Sequence, residues 1–377
     1  MSTYKKVSKA LYEVIQKDIV EKIQNGIYKA GDRIPSEKEI VDEYHVSRIT
    51  ATKALTELSL NGYIHRIQGK GSFANPLGTQ LRPGAFPSPS FPVNSGEPHK
   101  IGLIIPEFYD HHSGSIIASI IKTLRYPNYF VDVVLSQSNA LEEHALNHFL
   151  KNGYSGVILF PADCELYSET ILLMHLNKFP LVLIDRTFPG IGCSSVTSNN
   201  KAGAAAATEH LLSLGHQRVA FIADSTYQEQ ITTIRYNSYI HTMLEHGLQV
   251  SAFEQFFESA SVGEAQDMFV QEVKRGNITA VIASNSHAAS RLLTLCQDKG
   301  ISIPQELSVV CFDNPSFLRN DQTDFFTYVD QDSAEMGRQA ALILQEGLSG
   351  TMKEESRNVV LETELVVNRS TCPPQQK

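Results

Sequence analysis

The sequence predicts an α/β protein in two parts: a small helical head with a winged helix-turn-helix layout, and a large two-lobed body of parallel sheets. Three observations predict it. After residue 100, short apolar β-branched runs alternate with helical stretches, the pattern of parallel strands covered on both faces. Six of the sixteen prolines stand at positions 76, 83, 87, 89, 92 and 98, with Gly78, Gly84 and Gly96 among them, which marks a semi-extended linker. Before that linker lie three amphipathic segments and a Gly-rich turn.

In the head, Leu11, Ile15, Ile19 and Ile23 recur every four residues and predict a first helix ending near Gly26. Ser36 with Glu39 reads as a capping box opening a second helix to about Tyr44. His45-Val46 makes a turn, and Ser47 caps a third helix whose buried stripe is Ala51, Ala54, Leu55 and Leu58. Arg48, Ile49, Thr52 and Lys53 remain on its outer face. Tyr63-Ile-His-Arg-Ile and Ser72-Phe flank Gln68-Gly-Lys-Gly as two short strands of a wing. This layout aims the start of the third helix at a major groove. There Arg48 can fork onto a guanine edge, the Thr50 hydroxyl can meet phosphate, and Lys70 can track the backbone.

Charge divides at the same place. Residues 1–75 hold 12 Lys and Arg against 9 Asp and Glu, a balance of +3, whereas the rest carries −12. A basic head on an acidic body is expected when only the head meets nucleic acid. No apolar run is long enough to span a membrane, and the charged N-terminal segment is unlike a secretory signal, so a cytoplasmic protein is expected. Cys164, Cys193, Cys296, Cys311 and Cys372 are widely spaced, which suits buried free thiols rather than disulfides or a zinc site.

In the body, strands are predicted at 101–106, 130–135, 156–161, 181–185, 219–223, 280–283 and 309–313, and helices at 141–151, 201–214, 231–245 and 287–299. No dinucleotide, Walker, nucleophile-elbow or zinc-protease motif is present, so no cofactor or metal is expected. His144 and His148 sit four apart, but beside Glu142 and Glu143 they read as a solvated face. His111-His112 follow the first strand, where ligands of parallel sheets gather. Asp185, Asn285 and Asp313 close strands, Gln331 follows 326–330, and Arg235 opens a helix. Such donors and acceptors at strand ends suit a polyhydroxylated ligand; each could instead cap the next helix.

Two resemblances follow from these residues. Gly31-Asp-Arg-Ile-Pro-Ser-Glu, Val46-Ser-Arg-Ile-Thr, Lys53-Ala-Leu, Gly62-Tyr-Ile and Gln68-Gly-Lys-Gly-Ser-Phe resemble the winged helix of the GntR family of bacterial transcription regulators. That resemblance implies DNA contacts from Lys38, Ser47, Arg48, Thr50, Gln68, Gly69, Lys70 and Gly71, with Lys53 on the same outer face. Thr52 stands where some members have an Arg. Ile101-Gly-Leu-Ile-Ile-Pro, Val182-Leu-Ile-Asp-Arg, Glu209-His-Leu-Leu-Ser-Leu-Gly-His and Leu307-Ser-Val-Val-Cys-Phe-Asp-Asn resemble the LacI/GalR regulatory domain, a type I periplasmic-binding-protein fold. It implies an effector cleft of Asp185, Arg235, Asn285, Asp313 and Gln331, with Phe108 in its apolar wall. Asn285-Ser286 replaces a common Asn-Asp, Ser238 replaces a Gly, and Val196-Thr-Ser-Asn-Asn lacks the usual acid. The combination is similar to arabinose-type repressors of Gram-positive bacteria.

The expected organisation is a DNA-binding head at 1–75, a linker at 76–99, an effector-binding and dimerising body at 100–370 and a flexible tail at 371–377. The expected function is a repressor that binds a pseudo-palindromic operator as a homodimer, because a head of net +3 neutralises few phosphates alone. A small sugar or sugar derivative would release it. The alternative is a sugar-processing enzyme carrying a winged-helix head, for which no nucleophile–base pair is apparent.

Overall fold

The computed structural model describes residues 11–29, 31–60, 63–67, 71–75, 98–106, 111–162, 168–188, 190–224, 230–254, 256–257, 262–315, 325–352 and 356–375. Of residues 11, 13, 49, 57, 60 and 65–67 it describes the backbone alone. The chain divides into two compact units, Met1–Ser90 and Phe91–Lys377. Among the described residues no helix is long and apolar enough to cross a membrane.

The first unit contains α1 (Leu11–Gln24), α2 (Glu37–Tyr44), α3 (Arg48–Leu60) and the antiparallel hairpin β1 (Ile64–Ile67) and β2 (Gly71–Ala74). The predicted stripes meet in one core: Ile15, Ile19 and Ile23 of α1 pack with Ile40 of α2 and with Ala51, Ala54, Leu55 and Leu58 of α3. The capping box forms, with the Ser36 amide donating to Glu39 Oε2 at 2.7 Å and the Glu39 amide to Ser36 Oγ at 3.3 Å. His45 ends α2 in the left-handed region at φ 51°, which turns the chain sharply into α3. The segment after α1 adds a third edge to the hairpin: Gly31 and Ile34 donate to Ala74 and Ser72, and Arg33 bridges Phe73. Gly71 has φ 115°, and a Cβ there would stand 3.1 Å from Arg33 Nε, so glycine is required where the wing returns.

The second unit holds two six-stranded sheets. The first lobe orders β13 (Asn358–Leu361), β7 (Ser194–Ser198), β6 (Leu181–Ile184), β5 (Gly156–Leu159), β3 (His99–Ile105) and β4 (Tyr129–Leu135), all parallel. The second orders β14 (Glu364–Val366), β12 (Thr327–Asp330), β11 (Ser308–Phe312), β10 (Ala280–Ala283), β8 (Val219–Ile222) and β9 (Ser251–Phe253). Among the described strands of the two lobes only β14 runs antiparallel to its neighbour, and the sheets are otherwise parallel as expected. Strands β5, β6, β8, β10 and β11 are buried throughout, which requires helices on both faces. Those are α4 (His111–Thr123), α5 (Asn139–Lys151), α6 (Glu169–Leu176), α7 (Asn200–Ser213), α8 (Gln230–Glu245), α9 (Val262–Arg275), α10 (Ser286–Lys299) and α11 (Ser333–Ser349) among the described residues.

The chain passes between the lobes three times: after β7, after β12 and between β13 and β14. These crossings are tied to one another. The Asn199 amide donates to Leu361 O at 2.8 Å, Asn199 Nδ2 to Glu362 Oε2 at 3.1 Å, and Ser198 Oγ to Gln331 O at 3.3 Å. The returning helix α11 packs closely on α4, where a Cβ on Gly337 would stand 2.4 Å from the Ile116 carbonyl oxygen. Backbone cannot yield cheaply, so Gly337→Ala is expected to cost roughly 1–3 kcal/mol. An unchanged urea midpoint would show that α11 and α4 are not in this contact.

Two features differ from what the sequence predicts. Thr371 and Cys372, at the start of the stretch read as a flexible tail, are instead tied down. The Cys372 carbonyl accepts from His216 Nε2 and from Ser308 Oγ, at 2.8 and 3.0 Å, and Thr371 Oγ1 meets His210 Nε2 at 3.0 Å. Glu142 is buried rather than on a solvated face, and accepts from the Ala162 amide at 2.9 Å. Cys193, Cys296 and Cys311 are buried free thiols; burial raises Cys193 to about 11 and Cys296 to about 12, so neither is a reactive thiolate. Cys164 lies outside the described residues.

Candidate functional site

At the start of α3 in the head, Ser47 Oγ accepts from the Thr50 amide at 3.2 Å and meets Thr50 Oγ1 at 2.9 Å. Both hydroxyls therefore stand at the helix N-terminus, where unpaired amides and the helix dipole favour a phosphate. The Arg48 side chain is 84% exposed and only 3.6 Å from Glu37, a surface pair weak enough for a base edge to displace. Lys38 is also exposed. Lys53 is exposed but rests its ammonium over the Tyr12 ring at 3.9 Å, which steers it along α1. Gly71 begins β2, while Gln68, Gly69 and Lys70 lie outside the described residues.

In the body Arg235 joins two of the predicted cleft residues, Gln331 directly and Asp313 through it. It lies in the second turn of α8 rather than at the helix start, and it is buried. Its Nε donates to Asn200 Oδ1 at 2.8 Å, Nη1 to the Ser284 carbonyl at 2.6 Å and Nη2 to Gln331 Oε1 at 2.9 Å. The guanidinium lies 3.7 Å over the Phe312 ring. Gln331 in turn donates through Nε2 to Asp313 Oδ2 at 2.8 Å. A buried planar fork held by three acceptors and a ring is rigid, so it presents fixed polar groups to a ligand.

Asp185 and Asp313 end β6 and β11 in the left-handed region, at φ 64° and 60°. Their amides still donate along the sheets, to Val196 O and Val329 O, so the turn re-aims each carboxylate without losing a ladder bond. Between them sits buried His112 on the first turn of α4. Its Nε2 is 3.5 Å from Asp185 Oδ1, and its Nδ1 is 2.7 Å from Ser333 Oγ and 3.6 Å from Asp313 Oδ1. Burial alone would raise the Asp185 pKa. The hydrogen bond and charge of His112, with Arg186 and Arg235, outweigh it and hold the carboxyl below its usual value.

Other predicted positions are placed less centrally. Asn285 caps α10, accepting from the Ala288 amide at 2.8 Å, so its carbonyl oxygen does structural work. Phe108 lies outside the described residues. Residues missed from sequence are His112 as a bridge, Asn200, and Gln230, which exchanges two 3.1 Å bonds with the Thr187 backbone across the lobes. Asn200 falls in the segment where the resemblance lacks its acid, the one signal that pointed there. The His-Leu-x-x-Leu-Gly-His motif belongs to the frame: buried His216 joins Thr279, Ser308 and Cys372, and burial lowers its pKa. Among the described residues no cluster is suited to a metal ion.

Comparison with known proteins follows this division. Residues 11–73 match the bacterial regulatory proteins of the gntR family, and residues 208–371 match the periplasmic binding protein-like domain. The chain is a gntR-type head joined to a periplasmic-binding-protein-like body. Along nearly its whole length it is similar to an arabinose metabolism transcriptional repressor of Geobacillus stearothermophilus, 26% identical over 96% of this chain and 97% of the relative. A second arabinose metabolism transcriptional repressor, of Halalkalibacterium halodurans, is 25% identical over 96% of each chain. The body matches the crystal structure of a LacI family transcriptional regulator from Enterococcus faecium with bound ribose. That likeness has a TM-score of 0.62 at 20% identity, over 73% of this chain and 100% of the other. It establishes the fold of the body.

Proposed function

We propose that the protein is a ligand-responsive transcriptional repressor whose gntR-type head binds operator DNA and whose body closes on a small sugar. The head at 1–75, linker at 76–99 and body at 100–370 act as reader, tether and sensor. A homodimer on a pseudo-palindromic operator supplies the phosphate contacts that a single +3 head lacks. The observation that carries the effector half is the buried Arg235–Gln331–Asp313 chain, opposed by Asp185 on the other lobe. Hydroxyl groups both donate and accept, so a polyol can satisfy carboxylates and a guanidinium together. Sugar binding that prefers a head arrangement unsuited to DNA releases the operator.

Support comes from two relatives named as arabinose metabolism transcriptional repressors, each matched over 96% of this chain, which makes L-arabinose the first ligand to try. The test is thermal denaturation of the full chain with L-arabinose, D-ribose, D-xylose, D-galactose and their phosphates. At about 100 times its Kd a ligand of the native state adds about 2.7 kcal/mol, so the true effector raises Tm by several degrees. If none of these compounds shifts Tm, the sugar-sensing reading fails.

A further inference from the structure

We propose that closing the two lobes takes up one proton on His112, which as an imidazolium bridges Asp185 of one lobe and Asp313 of the other. The inference concerns the cleft alone and stands apart from the identity of any effector.

Both carboxylates are buried, as is the imidazole between them. His112 and Asp185 belong to the first lobe, and α11, which carries Ser333, packs into that lobe's core. Asp313 belongs to the second lobe. A neutral imidazole carries a single N–H, so it can serve one carboxylate while turning a lone pair towards the other. An imidazolium has a donor on each ring nitrogen. Its Nε2–H faces Asp185, and its Nδ1–H is shared between Ser333 Oγ and the approaching Asp313. Opening the cleft withdraws Asp313 and leaves His112 with one carboxylate, so the closed form binds the proton more tightly.

The groups facing His112 from each packed element agree with this. The end of β6 offers Asp185 and Arg186, the end of β11 offers Asp313, α11 offers the Ser333 hydroxyl, and β5 is followed by Phe160, whose ring meets the imidazole edge-on at 6.2 Å. Arg235 stands one step behind, through Gln331. On α4 itself the neighbour is exposed His111. Asp185 is held ionised below its usual range, partly by His112 itself.

The sign follows. The closed form, with a second carboxylate facing the imidazole, holds the histidine proton more tightly than the open form, so the stabilisation of closure is complete below the open-state pKa. It is lost as pH climbs through the closed-state pKa. Between the two, the closed-to-open ratio falls about tenfold per pH unit, the slope of one linked proton.

The experiment places nitroxides at exposed Leu141 and Glu264, at the first turns of α5 and of α9 (Val262–Arg275), through an encoded ketone residue that leaves the native cysteines untouched. Inter-lobe distances in the full chain are read by pulsed electron resonance from pH 6 to 9, with circular dichroism to verify folding. The short-distance population is expected to dominate at pH 6 and to decline with that slope. His112→Gln, which keeps a hydrogen bond to Ser333, is expected to flatten the profile. Asp313→Asn is expected to do the same, and it decides the matter if His112→Gln fails to fold. A pH-independent distance distribution in the unsubstituted chain, or an unaltered slope in the folded variants, overturns the proposal.

Discussion

Replacing Arg235 with alanine is expected to abolish the response to effector and to destabilise the body by on the order of 3 kcal/mol or more. The loss has two parts. Asn200 Oδ1, the Ser284 carbonyl and Gln331 Oε1 would each lose a charged donor in a buried setting, and each unmet buried acceptor costs about 1–3 kcal/mol, not additively. Gln331, no longer held, would then free Asp313. Arg235→Lys separates the parts. It keeps the charge but not the planar fork, so it recovers part of the stability while leaving the cleft misaligned. Urea unfolding gives the first quantity and calorimetry with the effector the second. A variant with wild-type stability would show that the Arg235 array does not hold the cleft together.

Arg48→Ala is expected to weaken specific DNA binding by about 1–3 kcal/mol and to relax base choice at one position per half-site. Arg48 is exposed at the start of α3, and its pair with Glu37 at 3.6 Å is too weak to matter for folding. Stability should therefore stay unchanged while affinity falls. The measurement is fluorescence anisotropy on DNA selected by the wild-type protein, repeated over several salt concentrations. Unaltered affinity and selectivity would remove Arg48 from the recognition surface. Lys53→Ala should have a smaller effect on affinity, since its ammonium rests on Tyr12.

How far the sequence carried each part has physical reasons. Strands such as β5, β6, β8, β10 and β11 are buried on both faces, so they appear as unbroken apolar runs, and the readings fell within two residues of their ends. Strand β7 shows no apolar run because it is Ser-Ser-Val-Thr-Ser. Its serines are buried at no great cost because neighbours satisfy them, as Asn358 does for Ser195 at 2.9 Å. The head was legible because its signals are local: a cap and its Glu lie three residues apart, and the core stripe repeats every turn.

The cleft was legible only in part, since strand-ending Asp and Asn residues look alike whether they bind or cap. Asp185 and Asp313 turned out to occupy re-aimed left-handed turns, whereas Asn285 took the capping role. His112 meets Ser333 across 221 positions of sequence, and Asn200 meets Arg235 across 35, separations at which no periodicity or spacing rule operates. Closure of the chain around three crossings creates those contacts.

Ligand held in the cleft is expected to change the grip of the head on DNA. Titration of operator DNA with the full chain, with and without saturating effector and alongside Asp313→Ala, measures that change. Effector is expected to weaken operator binding at least tenfold in the wild type and to leave the variant's binding unchanged. Operator affinity that stays the same while calorimetry records the sugar bound in the cleft would show that the cleft does not control the head.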